Sequence, residues 1–236
     1  MSTSGTVAWT LKRDAIINAA LRKISVLSGG SSPETFEVTN AAEALNAMCK
    51  GFAADGMPIW AIRSYSFTPT INLATYTIGT GQTLDTLVPL KIIQAERVST
   101  SGAANVPMNV VNQYDYNLLP VNASAATPVT LYYQPLTSSG VINLWPKPDN
   151  STTTITIHYQ RPFEDINNNT DDIDVPPYWM EALIYGLAWR LSPEYGTPIQ
   201  DRAVLAKEAE YFHQQALSFG TEEGSLLLMP DWAGRH

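Results

Sequence analysis

Five carboxylates crowd into eleven residues, at Glu164, Asp165, Asp171, Asp172 and Asp174. Such a cluster could hold Ca²⁺, which takes about six to eight oxygen ligands. It could instead supply the two carboxylates of a glycosidase, for instance Glu164 with Asp172. The calcium reading is weakened because the EF-hand order with its central glycine is absent. The catalytic reading is weakened because a general acid needs a buried setting that raises its pKa. The Asn-rich stretch FEDINNNTDDIDV, residues 163–175, offers no such setting and reads as a solvated or interface loop.

Other reactive side chains are few. His158, His213 and His236 fall on an expected strand, an expected helix and the last position. Serine triads occur in several sequence orders, but no G-x-S-x-G elbow is present. Each histidine therefore reads as a surface residue. The single cysteine, Cys49, lies one position from an apolar helical stripe and reads as a buried thiol. With no cysteine pair and no histidines at ligand spacing, zinc is not expected. Gly79-Thr80-Gly81 reads as a turn between strands, lacking both the phosphate loop and the dinucleotide fingerprint. Tyr132, Tyr133 and Trp145 are the candidates for an aromatic platform on a ligand-binding β module. No catalytic residue, cofactor or metal is expected.

The elements that would position these groups follow from periodicity. Over residues 10–25, Ile17, Ala20, Leu21 and Ile24 share one helical face. After SVLSGGSS, Ser32 is the expected N-cap and Pro33 the first helical position. Val38, Ala41, Leu45, Met48 and Phe52 then form a second stripe. Residues 61–161 change texture to short alternating runs such as TYTIG, VTLYY, VINLW and TTTITIHYQ, which predict an antiparallel sheet or small sandwich. Helical spacing returns at Met180, Leu183, Ile184, Leu187 and Leu191, and again at Leu205, Ala209, Phe212, Ala216 and Phe219. The expected fold class is α+β: a helical bundle built from the N- and C-terminal helix pairs (1–60 and 176–219), an inserted antiparallel β domain (61–175), and an extended tail (220–236).

Composition limits the functions this chain can have. Its 236 residues carry 14 Lys and Arg against 22 Asp and Glu, a formal net charge of −8. Phosphate binding needs clustered cations, so specific nucleic-acid binding is not expected. A single cysteine suits a reducing compartment. No apolar run reaches the ~18 residues needed for a membrane span, and the N-terminal stretch does not read as a signal peptide. Production in cytoplasm is the expectation. Only 15% of residues are charged against 44% hydrophobic, which suits a surface largely consumed by protein–protein contact.

Three segments together carry a resemblance. They are AIINAALRKISVLSGGSSPE running to EALNAMCKGFAADGMPIWA, then Tyr76-Thr77-Ile78-Gly79 with Pro89-Leu90-Lys91-Ile92, and Pro176-Pro177-Tyr178 leading into EALIYGLAWRLSPEYG. In this order and spacing the chain resembles the head-to-tail adaptor proteins of short-tailed phages, the tail accessory factor or packaged-DNA stabilisation type, over about residues 12–215. The resemblance implies a structural virion protein at the portal vertex, usually twelve copies in a ring. Such a ring binds the portal protein above and a tail nozzle or tube protein below, and genome DNA passes through without specific binding. It also implies that the C-terminal segment reaches into the portal, with Leu226, Leu227, Leu228, Met229 and Trp232 as the contact residues. That apolar run, in SLLLMPDW, would be costly to leave in water, at about 1.5–3 kcal/mol per large side chain. It either folds back on its own chain or enters a partner. The alternatives from other classes are a tail-associated peptidoglycan hydrolase and the ligand-binding β module.

Overall fold

The computed structural model describes residues 5, 10–55, 59–99, 105–120 and 124–220. Helix α1 (Arg13–Lys23) has Asp14 in its first turn and Arg22 and Lys23 in its last, so both ends complement the helix dipole. Helix α2 (Thr35–Asp55) starts two residues later than the Ser32 cap predicts. The Glu34 N–H instead donates to the Glu37 carboxylate at 2.8 Å, satisfying one of the donors a helix start leaves free.

After a 3₁₀ turn (Ile59–Ala61) come seven strands: β1 (Ile62–Phe67), β2 (Thr75–Ile78), β3 (Lys91–Ser99), β4 (Val106–Val111), β5 (Thr130–Pro135), β6 (Gly140–Trp145) and β7 (Thr153–Gln160). A five-residue helix α3 (Gln113–Asn117) follows β4, and the chain continues through α4 (Met180–Leu191) and α5 (Ile199–Phe219). No helix among the described residues is long and apolar enough to cross a membrane.

The architecture corrects the expected fold class. This is not a helical bundle with an inserted antiparallel β domain. It is a curled, half-barrel-like mixed sheet of order β1-β7-β3-β4-β5-β6-β2, accompanied by a few helices. The mixed character comes from β4, which runs antiparallel to β3 through residues 106–108 and parallel to β5 through residues 109–111. A strand that changes partner midway joins two half-sheets and bends the whole. Pro107 lies in the half that faces β3, so its missing N–H interrupts only that short ladder.

Two apolar cores result. The sheet's inner face buries Ile155, Ile157 and Tyr159 of β7 with Leu131, Ile142 and Leu144, while Thr154, Thr156 and His158 alternate outward. The second core is centred on α4, which packs against α5, α1 and α2 in turn. Ala61, Phe163, Ile166, Ile173 and Val175 from the connecting segments complete that core. The helices therefore do not bury their stripes on one another alone, which is the physical reason the self-contained bundle fails.

Candidate functional site

The acidic loop is the most polar-bonded part of the helical side. The Arg161 guanidinium, 3% exposed, grips the Asp174 carboxylate through both terminal nitrogens, with Nη2 to Oδ1 at 2.7 Å. These bonds hold the guanidinium above its ordinary range. Lys50 Nζ lies 2.6 Å from Asp165 Oδ1. The Asp171 carboxylate accepts the backbone N–H of Asn168 at 2.7 Å and of Asn167 at 3.1 Å, three and four residues earlier in the loop. Those bonds, that of Asn168 foremost, draw its pKa below the usual value. Asp172 forms an isolated β-bridge with Lys12 before α1. The glycosidase pair Glu164 and Asp172 thus sits in a loop whose neighbouring carboxylates are occupied as fasteners. Among the described residues no three His, Cys, Asp or Glu side chains converge as a metal site.

Helix α2 reads the same segment with one polar stripe, a feature the apolar periodicity does not reveal. Asn46 donates to the Ile166 carbonyl at 3.0 Å and accepts the Ile166 N–H at 2.9 Å. One turn on, Lys50 donates to the Phe163 carbonyl at 2.6 Å. At the next level Gln160 donates to the Ala53 carbonyl at 2.9 Å. As the helix advances, the bonded segment recedes from 166 to 160, so this segment runs antiparallel to α2 and is bonded at three levels.

The remaining candidates fall apart in space. His158 Nδ1 is 2.8 Å from Ser64 Oγ across the β1–β7 pair, and its Nε2 is 3.8 Å from Glu96 Oε1. The last distance exceeds a hydrogen bond, and all three side chains stand on the outer face of the sheet. Tyr132 and Tyr133 are successive strand residues and point to opposite faces. Tyr133 donates to the Pro89 carbonyl at 2.5 Å, and its burial pushes the phenol up to about 12. Tyr132 packs on Tyr116 at 5.4 Å, and Trp145 Nε1 donates to the Pro120 carbonyl at 3.1 Å. The three do not make one platform. Cys49 is buried, which pushes its thiol up to about 12 and away from nucleophilic use.

His213 corrects the expectation of a surface residue. It is 8% exposed on α5, stacked on Phe52 at 4.2 Å and edge-on to Trp179 at 5.7 Å. Its Nε2 has no hydrogen-bond partner among the described residues. An unmet polar group of this kind costs about 1–3 kcal/mol. His213 lines a cavity of about 410 Å³ between α2, α4 and α5, together with Met48, Phe52, Trp189 and Ala209. Sequence reading missed this groove because its walls come from three distant segments. The proposed contact residues Leu226, Leu227, Leu228, Met229 and Trp232, like His236, lie outside the described residues.

The directional contacts on the helical side fasten one segment of the chain to another, and α5 still presents Val204, Tyr211 and Phe219 to solvent. These are features of a building block with apolar surface to share. Comparison with known families makes the class specific: the family described as SU10 adaptor protein matches residues 9–224, nearly the whole chain. The chain belongs to that family of phage head-to-tail adaptors. Membership marks it as a structural phage component. No curated protein matches the chain.

Proposed function

We propose that this chain is a portal-binding adaptor. Twelve copies form a ring beneath the portal, extend the DNA channel and provide the platform on which the tail nozzle or tube assembles. The observation that carries this reading is the family match over residues 9–224. The net charge of −8 supports the channel role, since an acidic wall lets DNA slide without holding it. We assign the helical parts (1–60 and 176–219) to lateral packing within the ring and residues 61–175 to contact with a neighbour or the tail. The apolar run Leu226–Trp232 is the portal-binding element.

Deletion of residues 221–236 tests the reading. The shortened chain keeps its far-ultraviolet circular dichroism and loses capture by the portal protein of the same virus in a pull-down. Retained capture would refute the assignment of the run. Negative-stain images of the full chain mixed with portal show a ring on the portal and a monomer without it. A stable free dodecamer in light scattering would contradict templated assembly.

A further inference from the structure

The groove between α2, α4 and α5 matches the chemistry of one segment of this chain. Its walls are mainly apolar, from Met48, Phe52 and Trp189. It contains one enclosed imidazole, His213, whose Nε2 lacks a partner among the described residues. Arg190 stands at the rim and has no ion-pair partner among the described residues, while Glu210 beside it is engaged by Gln214 Nε2 at 2.8 Å. An occupant should therefore bring branched apolar side chains, one hydrogen-bonding group for Nε2, with the ring tautomer set by that group, and one anion for Arg190.

The run LLLMPDW, Leu226–Trp232, brings all three: leucines and a methionine, one indole N–H, and Asp231. It is also within reach. Gly220 caps α5, its N–H bonded to the Leu217 carbonyl. Ala206 and His213 lie fourteen and seven positions back along that helix, about 10–21 Å at ~1.5 Å per residue. A chain turning back at Gly220 can carry Leu226–Met229 as far as about 20–30 Å at ~3.3 Å per residue.

We propose that in the unassembled subunit the run Leu226–Trp232 docks into this groove of its own chain, and that portal engagement withdraws it. The docked state keeps the run out of water until the portal is present, which links subunit solubility to templated assembly. The second half of this proposal rests on the portal-binding reading above; the docking itself does not.

Disulfide trapping in the full-length chain tests it. The double variant Ala206→Cys with Leu228→Cys is oxidised mildly at low protein concentration, beside a control pairing Leu228→Cys with Gln82→Cys in the β2 turn. The native Cys49 is buried and stays silent. Docking predicts an intrachain disulfide, read by mass spectrometry, that forms at least ten times faster than in the control. Equal rates overturn the proposal. So do disulfide-linked dimers as the main product, which would place a second copy's segment in the groove. Glu210→Cys at the exposed rim replaces Ala206→Cys if the latter alters the circular dichroism spectrum. Pull-down on portal separates the two readings. The oxidised double variant binds at least ten-fold less than the reduced one if both hold. Trapping without capture of either form sinks the portal reading and leaves docking intact, and capture without trapping sinks docking alone.

Discussion

Asp174→Asn probes the joint between sheet and helices. Arg161 follows β7 directly and is buried, so its cation depends on the two bonds to Asp174 and one from Nη1 to the Pro162 carbonyl at 3.2 Å. The Trp60 ring, 5.7 Å from the guanidinium carbon, adds a cation–π contact. The asparagine keeps the shape and removes the charge. Breaking a buried pair from one side costs about 3–5 kcal/mol because a charge is left uncompensated. The Asp174 side chain is 27% exposed, so water recovers part of that loss. The expected cost is about 2–3 kcal/mol, and at ~2–4 °C per kcal/mol for a chain of this size the Tm falls by roughly 4–12 °C. Thermal unfolding followed by circular dichroism at neutral pH reads it. The double variant Arg161→Leu with Asp174→Asn regains part of the loss, since an apolar replacement removes the stranded charge. A drop under about 1 °C for Asp174→Asn would refute the claim that this pair fastens the loop.

Two glycines give opposite expectations. A Cβ at Gly140 would lie 2.5 Å from Cε2 of Tyr133, a ring tied to the Pro89 carbonyl, so Gly140→Ala costs about 2 kcal/mol and breaks that bond. At Gly186 the Cβ meets the Met48 thioether at 2.8 Å, which can rotate aside, and the helix gains about 1 kcal/mol in propensity, so Gly186→Ala stays within about 1 kcal/mol of the parent. Urea midpoints in the reverse order would refute both. Asp171 has its folded pKa below the unfolded value of 3.8, so its contribution is present above that pH and fades as pH falls through the folded value. Asp171→Asn should therefore lose less stability than the parent between pH 5 and pH 3, and parallel acid curves would exclude the effect.

The legible parts of the fold were those with a strong period. Ile17, Leu21, Leu45, Met48, Leu183 and Leu187 are all buried, as their helical spacing predicts, because each stripe has one face to hide. The alternation of Ile155, Ile157 and Tyr159 is equally plain. What failed was the assembly of these pieces. The run VPMNVV carries a proline and little alternation, so β4 passes unnoticed, yet β4 joins the two half-sheets and introduces the parallel pair. Strand pairing is non-local, and no spacing within one strand names its partner. His213 illustrates the same limit at the groove: polarity suggests a surface position, while Phe52 and Trp179, distant in sequence, enclose it. The acidic loop reads as solvated or at an interface, and Glu164, Asp165, Asn167 and Asp172 are indeed exposed; what its composition does not show is that Asp174, Asp165 and Asp171 also bond to Arg161, Lys50 and the loop's own backbone.

The fastening has a mechanical consequence. Residues 160–166 are bonded to α2 at Asn46, Lys50 and Ala53, and the Arg161–Asp174 pair closes the same loop from its other end. A hinge at this point would break several enclosed polar bonds together, each worth about 0.5–1.5 kcal/mol and more where charged. The corner between α4 and α5 turns at Gly196 with φ of 65°, a conformation glycine adopts without strain. Beyond that corner α5 carries the exposed Val204, Tyr211 and Phe219, and the apolar run follows its end.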